Sequence, residues 1–253
     1  AFSVSHRNHA SIVGVTKFLP SFAGYGLINE INNINQFIDN PKKPNLAIIG
    51  GSKISTKINL LYNLCERFDT IFIGGAMANT FLHAKKINIE KSLCEKELTK
   101  VALSILDKAK KLNCEILLPL DVVCSNSIDD KNNIRECDIN EILVNQMILD
   151  VGTKTSEIIH QYIIKSKMVL WNGPLGAFEF SPFNKSSFAL AKIIKNHYIN
   201  SNIITIAGGG DTVSVIKSAN AEGGFSYISQ AGGAFLEWLE GKSLPGIKAL
   251  EQG

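Results

Sequence analysis

The sequence lacks the features of several classes of protein. Its five cysteines are odd in number and include no Cys-x-x-Cys pair, which disfavours a disulfide framework and a zinc site. No apolar run approaches the roughly 18 residues that a membrane span needs, and no basic-then-apolar leader is visible at the start. The formal charge is only +3, and no stretch gathers five basic residues, so nothing indicates a nucleic-acid surface. We expect a cytoplasmic protein that binds neither nucleic acid nor membrane.

Hydrophobic residues make up 45% of the chain, which is enough for a sizeable core. Short apolar runs alternate with longer segments of helical periodicity, and this alternation predicts an α/β fold with a parallel sheet. The stretch from residue 126 to 140 is charged and irregular, and is predicted to be an excursion at the sheet edge. The predicted strands are Leu46–Ile49, Thr70–Ile73, Glu115–Asp121, Met168–Trp171, Ile203–Ala207 and Phe225–Ile228.

The first forty residues do not follow this alternation. Residues 1–14 show no sustained period and are predicted to form the end of a strand and a loop. Ser21 is predicted to cap a helix that stops near Asp39. The segment Pro41–Pro44 is predicted to be a stiff, exposed joint, because each proline fixes its own φ. The apolar residues of the predicted helix are Leu27, Ile31, Ile34 and Ile38.

Four apolar runs end in a glycine-rich turn that opens onto a helical segment. The most pronounced turn is Gly208–Thr212, where three consecutive glycines precede an aspartate. Glycines let the backbone approach an anion, and the first amides of the next helix present unpaired N–H groups and a positive dipole end. We therefore predict a phosphate cradle, with Asp211 supplying a carboxylate to a magnesium-bound nucleotide.

A second turn, Gly50–Lys57, carries Lys53 and Lys57 four residues apart. This spacing predicts that both ammonium groups share one face of the helix beginning there and meet one polyphosphate, with solvated lysines as the alternative. The spacing does not match a Walker A loop. A third turn, Gly74–Ala78, is predicted either to let a nucleobase approach the backbone or to pack a helix closely on the sheet.

The fourth turn, Trp171–Glu179, follows a strand and combines an amide, a rigid turn and a carboxylate. Glu179 is a candidate acceptor for ribose hydroxyls, or alternatively an exposed acid on a loop, whereas Trp171 is predicted to be core. Near the start, His6 and His9 have no third ligand nearby, which disfavours a metal site. Arg7 is the candidate for a substrate phosphate or carboxylate, with simple solvation as the alternative.

Taken in order, these segments resemble the phosphoglycerate kinase family. The resemblance implies two Rossmann-like domains, with helices on both sheet faces and the active site in the cleft between the domains. It also implies a monomeric glycolytic enzyme that uses Mg²⁺ and transfers a phosphoryl group between ATP and the carboxylate of 3-phosphoglycerate, giving ADP and 1,3-bisphosphoglycerate. The matching stretches are Ala1–Ser11, Leu19–Gly24, Gly50–Lys57, Gly74–Phe81, Trp171–Glu179, Gly208–Thr212 and Gly232–Gly246.

The resemblance also implies roles for individual residues. Lys53, Lys57 and Gly210 take the catalytic roles, Arg7 binds the substrate phosphate, and Asp211 holds the metal. The family's nucleotide-binding positions fall on Gly51, Lys53, Lys57, Gly75, Asn172, Pro174, Glu179, Gly209, Gly210, Asp211 and Thr212. Gln230 and Ala231 replace a threonine and a glycine of the family pattern, so turnover is predicted to be impaired.

The same resemblance divides the chain. Residues 1–20 are the remnant of the N-terminal substrate domain, 21–40 the interdomain helix, 41–234 the nucleotide-binding domain, and 235–253 a C-terminal helix and tail that return to the N-terminal domain. Most of the N-terminal domain is absent, and it is a candidate partner within a longer chain or as a separate one. The alternative function is a nucleotide-binding module inactive on its own. A nicotinamide dehydrogenase is disfavoured, because Gly50–Ser52 lacks the Gly-x-Gly-x-x-Gly pattern.

Overall fold

The computed structural model describes residues 2–38 and 41–251, in which strands and helices alternate along the chain. The strands are β1 (Asn45–Ile49), β2 (Thr70–Ile73), β3 (Glu115–Leu117), β4 (Asp121–Ser125), β5 (Arg135–Asp138), β6 (Met147–Val151), β7 (Met168–Asn172), β8 (Ile204–Gly208) and β9 (Tyr227–Ser229). The helices are α1 (Tyr25–Ile38), α2 (Ile58–Leu64), α3 (Ala76–Ala84), α4 (Thr99–Lys111), α5 (Thr153–Lys165), α6 (Lys185–Asn200), α7 (Gly210–Ser218), α8 (Gly232–Leu239) and α9 (Pro245–Glu251).

The main sheet has six parallel strands in the order β3-β2-β1-β7-β8-β9, which confirms the predicted α/β class. At its centre, Ala47 of β1 lies opposite Ile71 of β2 and Leu170 of β7. Strands β1, β2 and β7 are buried along their whole length, as expected for a parallel sheet covered on both faces.

Alternate residues of the strands face two separate cores. Ala47 and Ile49 pack with α1, α2, α3, α4 and α8 on one face of the sheet. Leu46 and Ile48 pack with α5, α6 and α7 on the other face. Trp171 is fully buried in this second core, as predicted. Helices therefore cover both faces of the sheet.

A second sheet of three antiparallel strands, in the order β5-β4-β6, corrects two predictions. The stretch from residue 126 to 140 is not wholly irregular, because Arg135–Asp138 pairs with β4. The predicted strand Glu115–Asp121 is two strands: its first three residues join the main sheet, and Asp121 opens β4. Val122 and Cys124 pack with Leu82 of α3 in a third, smaller core, which holds this sheet against the main body.

Three short helical turns, separated and followed by loop, occupy the start of the described chain instead of the predicted strand end. These turns are 3-10 helices at Phe2–Val4 and Val15–Lys17, with a π-helical turn at Ala10–Gly14 between them. The prediction of a strand was wrong because no neighbouring strand pairs with this segment among the described residues.

The N-terminal turns pack against the C-terminal end of the described chain. The ring of Phe2 meets that of Trp238 edge to face, with 6.2 Å between centroids. The carbonyl of Ser5 accepts a hydrogen bond from the amide of Gly246 over 2.8 Å. This packing agrees with the prediction that both ends of the chain belong to one domain. The division into domains stays a prediction. Helix α8 crosses its proposed boundary at residue 234.

Helix α1 begins four residues later than predicted. Ser21 does not cap it, because its hydroxyl donates to the carbonyl of Leu19 over 3.2 Å and the helix starts at Tyr25. Its predicted end at Asp39 lies outside the described residues. None of the helices in the described ranges combines the length and apolar character that crossing a membrane requires.

Candidate functional site

The glycine-rich turns meet at the edge of the main sheet where its parallel strands end. The amide of Gly50, after β1, donates to the carbonyl of Asn172 at the end of β7 over 2.9 Å. The side-chain amide of Asn172 donates to the carbonyl of Gly208 at the end of β8 over 2.6 Å. The amide of Gly74, after β2, donates to the carbonyl of Ile49 over 2.9 Å. All four predicted turns are thus held at one edge.

Two positions at this edge require glycine. A Cβ on Gly50 would lie 1.9 Å from the carbonyl oxygen of Pro174, a backbone atom that cannot move aside. Gly75 has a φ of +66°, and its Cβ would lie 2.5 Å from the carbonyl oxygen of Gly51. The turns therefore pack backbone against backbone, which leaves their amides close to any ligand at the edge.

Lys57 lies at the centre of the edge and is 9% exposed. Its ammonium donates to the carbonyl of Gly50 over 2.6 Å, to Oδ1 of Asn172 over 2.6 Å, and to the Asn172 carbonyl over 3.3 Å. Burial lowers the pKa of Lys57 from 10.5 to about 8, against the opposing effect of the Asp211 carboxylate. The side chain is therefore mostly a cation at pH 7, next to the predicted phosphate cradle.

Lys53 does not share a helix face with Lys57, so that prediction was wrong. Lys53 has extended backbone, with φ −130° and ψ 126°, and the 3-10 turn Ile54–Thr56 follows it. Helix α2 begins only at Ile58, because the turn inserts the fully buried Ile54 into the core first. Lys53 is exposed, so the two lysines lie on the same loop in different environments.

The amino end of α7 forms the turn after β8. Gly209 has a φ of +97°, and Gly210 and Asp211 are exposed at the first turn of the helix. Thr212 is buried, and its hydroxyl accepts a hydrogen bond from the amide of Gly173 over 2.7 Å. In this structure Thr212 connects two turns, as Asn172 does, whereas Gly210 and Asp211 face solvent. Their roles toward a nucleotide stay predictions.

A cleft of about 440 Å³ opens beside this edge. One side of it is formed by the glycine turns and the start of α3, and the other by β6 and the loop after β7. Five of the residues predicted from the sequence line it together: Gly51, Gly75, Pro174, Glu179 and Asp211. The other predicted residues lie outside its lining: Arg7, Lys53, Lys57, Asn172, Gly209, Gly210 and Thr212.

Sequence reasoning missed the wall formed by Met147–Val151. The carbonyl of Leu149 accepts a hydrogen bond from the amide of Ala177 over 2.8 Å, which joins β6 to the loop after β7. A usable signal was present, because this apolar run also ends at a glycine, Gly152, that precedes a helical segment.

The buried side chain of Asp150 connects this wall to α6. Its side chain is 1% exposed and accepts hydrogen bonds from the hydroxyl and the amide of Ser186 at the start of α6, the latter over 3.1 Å. Burial raises the pKa of Asp150 from 3.8 to about 7, although hydrogen bonds from Ser186 and from the amide of Val151 oppose this. The carboxyl therefore titrates near neutral pH.

The metal predicted at Asp211 can be tested against the donors present. Within residues 2–38 and 41–251, no group of three His, Cys, Asp or Glu side chains could hold a metal ion. Mg²⁺ does not need such a group, because it keeps several waters and binds through one or two carboxylates plus substrate phosphates. The exposed Asp211 at the cleft fits that mode of binding.

The segment that carries Arg7 lies beside the first turn of α8, close to the same sheet edge. A Cβ on Gly233 would lie 2.9 Å from Nε2 of His6, and a Cβ on Gly232 would lie 3.9 Å from the amide nitrogen of Gly210. The first turns of α7 and α8 are thus neighbours, with His6 beside them. Arg7 itself is exposed.

The fold and this edge define a doubly wound α/β protein, a class in which ligands bind at the carboxyl ends of the strands. Residues 1–242 match the family model of phosphoglycerate kinase, and the chain belongs to that family.

Individual relatives give the same result. The phosphoglycerate kinases of Maricaulis maris and Bartonella tribocorum are each 46% identical to the chain, over 99% and 100% of its length. The structure of the enzyme from Coxiella burnetii superposes with a TM-score of 0.92 at 41% identity, over 100% of the chain. That from Pyrococcus horikoshii superposes with 0.80 at 26% identity, over 99%. The chain spans between 62% and 64% of the length of these four proteins.

Proposed function

We propose that this chain forms the nucleotide side of a phosphoglycerate kinase, which transfers a phosphoryl group reversibly between ATP and the carboxylate of 3-phosphoglycerate. The observation that carries the proposal is the convergence of four glycine turns, a buried lysine cation and an exposed aspartate at one sheet edge. We take the reaction itself from the phosphoglycerate kinase family, to which the chain belongs. Nucleoside and phosphates would lie along the cleft, with Glu179 near the ribose and Asp211 near the metal.

The reaction needs positioning and charge neutralisation more than proton transfer. The bond between the γ-phosphorus and the bridging oxygen breaks, its electron pair stays on ADP, and a carboxylate oxygen bonds to the phosphorus. That carboxylate is already ionised at neutral pH, so no general base is required. The difficulty is repulsion between two anions, which cations and N–H donors around the moving phosphoryl group reduce.

The residues at the sheet edge suit this task. The amides at the start of α7, after Gly209, point out of the helix end and favour phosphate. Lys57 supplies a buried positive charge, and Asp211 would hold Mg²⁺, which would add positive charge against the phosphates. Lys57 now donates to Gly50 and Asn172, so it must exchange at least one of these partners to reach a phosphate.

A second candidate function is a nucleotide-binding module without turnover. It is favoured by the coverage of 62% to 64% of the relatives, because the resemblance places most of the basic substrate patch outside this chain. Gln230 and Ala231 support it as well, since they lie in the turn between β9 and α8, where the resemblance implies a threonine and a glycine.

Calorimetry with Mg-ADP and a coupled assay on this polypeptide separate the two functions. Binding with turnover supports the kinase, and binding without turnover supports the module. Asp211→Asn should weaken binding of Mg-ADP about tenfold, a magnitude typical of losing one charge-assisted contact. Glu222→Gln, at an exposed acid in the 3-10 turn between α7 and β9, is the matched control and should leave binding unchanged. Absence of nucleotide binding by the unaltered chain would contradict both functions.

A further inference from the structure

The exposed middle of the loop Gly50–Lys57 is held by a side chain from another part of the chain. Oε2 of Glu95 accepts a hydrogen bond from the amide of Ser55 over 3.0 Å, and Oε1 accepts one from the Ser55 hydroxyl over 2.6 Å. Charge-assisted hydrogen bonds of this kind are about twice as strong as neutral ones.

Glu95 is itself fixed to the body of the protein. Its amide donates to the hydroxyl of Thr80 over 3.2 Å, and Thr80 is buried in α3. Its carbonyl accepts a hydrogen bond from the amide of Leu98 over 2.9 Å, within the turn that leads into α4. The carboxylate therefore connects a rigid pair of helices to the turn Ile54–Thr56.

The charge of Glu95 favours this arrangement. Burial raises the pKa of its carboxyl, but the hydrogen bonds from Ser55, the nearby amide of Ile54 and the positive charge of Lys53 outweigh burial and bring the pKa below its ordinary value. The side chain is thus an anion at neutral pH. The ion pairs within 4.0 Å in the described ranges do not include Lys53, so Glu95 holds the backbone next to Lys53 without capturing its ammonium.

We propose that Glu95 is a positioning residue for phosphate binding: it fixes the turn Ile54–Thr56 and thereby the direction in which Lys53 reaches the nucleotide phosphates. The proposal rests on the proposed function, since it needs a phosphate ligand at this edge. Lys53 is the exposed cation of the loop, and without Glu95 its backbone would move with the free turn. Glu95 does not line the cleft, so it acts only through the loop.

The test compares Mg-ADP with adenosine, which lacks the phosphates, by calorimetry on the full chain. Glu95→Ala should weaken Mg-ADP binding about tenfold and change adenosine binding less than twofold. Glu95→Gln should give a smaller loss, because it keeps an acceptor and loses the charge. Glu97→Ala, at an exposed acid two residues along, is the matched control and should change neither affinity.

A double-mutant cycle with Lys53→Met identifies the route of the effect. If Glu95 acts through Lys53, then Glu95→Ala should cost no further Mg-ADP affinity in the Lys53→Met background. A full additional loss in that background, or equal weakening of adenosine and Mg-ADP, would overturn the proposal. Hydrogen exchange at the Ser55 amide should rise in Glu95→Gln, which is the variant to use if the alanine variant does not fold.

Failure of this proposal can be told from failure of the proposed function. If the unaltered chain does not bind Mg-ADP more tightly than adenosine, the nucleotide site is wrong and this role of Glu95 is wrong with it. If it does, and Lys53→Met weakens Mg-ADP while Glu95→Ala does not, only the role of Glu95 is wrong.

Discussion

The cleft has two walls of different construction. The glycine wall, formed by Gly50–Gly51 and Gly74–Ala76 at the edge of the main sheet, packs backbone against backbone. The β6 wall, formed by Met147–Val151, presents side chains and depends on a single buried carboxyl, Asp150. The first wall is determined by the space between main chains, and the second by the protonation and hydrogen bonding of one side chain. We therefore expect different substitutions and conditions to disrupt the two walls.

Adding one carbon atom should break the glycine wall. Gly50→Ala would place a Cβ 1.9 Å from the Pro174 carbonyl oxygen, so the turns after β1 and β7 must separate. We expect a loss of about 3 kcal/mol in the free energy of unfolding, the upper range of overpacking, and loss of measurable Mg-ADP binding. Urea denaturation measures the first and calorimetry the second.

The control for Gly50→Ala is Gly223→Ala, because a Cβ on Gly223 meets no atom within 4 Å. That variant should stay within about 0.5 kcal/mol of the unaltered chain. Equal stability of the two variants would show that the turns can separate without cost, and the comparison between the walls would lose its basis.

Removing the Lys57 ammonium, which donates to Gly50 of the glycine wall, should weaken binding only of ligands that carry phosphates. Lys57→Met should weaken Mg-ADP binding about 100-fold, because loss of one partner of a buried charged contact costs at least 2 kcal/mol. Adenosine, which depends on the rest of the cleft, should bind as before. Lys192→Met, at an exposed lysine on α6, serves as the control, and a similar loss there would point to general electrostatics instead of a site.

The β6 wall should respond to pH through Asp150. Its pKa is about 7 in the folded chain, against 3.8 unfolded. Between about pH 4 and pH 7 the unfolded chain has released this proton and the folded chain retains it, so this group's contribution to stability falls as pH rises. Above pH 7 the contribution is constant.

Asp150→Asn should remove that dependence. From pH 5 to pH 8, the unaltered chain should lose about 2 to 3 kcal/mol more of its free energy of unfolding than the variant does. Urea denaturation at several pH values measures this, and Asp129→Asn, at an exposed acid, is the control. Parallel curves for the chain and Asp150→Asn would mean that Asp150 is ionised when folded.

Binding of Mg-ADP beside the glycine wall should also depend on pH, through Lys57. This effect should be smaller than the effect of Asp150 on stability. The pKa of Lys57 is about 8 without ligand, and a phosphate dianion would raise it, so binding above pH 8 takes up a proton. The dissociation constant for Mg-ADP should be constant below about pH 8 and rise up to tenfold by pH 9. Calorimetry of Lys57→Met should show no such rise, whereas a rise there would assign the titration to another group.

Most of the main sheet and the glycine wall could be predicted from the sequence. Apolar runs of strand length mark β1, β2, β7 and β8, because these strands are buried on both faces. Glycine is required where turns pack closely, so Gly50 and Gly75 leave a local signal. Family resemblance then added the order of the turns, which no single motif could give.

Strand β5 and the shape of the loop Gly50–Lys57 could not be predicted in this way. Strand β5 contains charged and half-buried residues at the edge of a small sheet, so its pattern resembles a loop. The start of α2 depends on Ile54 entering a core formed by distant segments, which moves Lys53 and Lys57 apart. Both features arise from tertiary packing that local spacing does not encode.

The strand order has a consequence for how the protein is made. β1 pairs with β2 soon after both have left the ribosome, but its other neighbour, β7, follows about 120 residues later in the chain. At bacterial and eukaryotic synthesis rates of about 5 to 20 residues per second, that interval is on the order of 6 to 24 seconds. During it the nascent chain exposes one unpaired side of an apolar strand, the kind of edge on which other chains aggregate. The central strand of the finished sheet is thus an open edge for part of its synthesis, and there a chaperone would have most to protect.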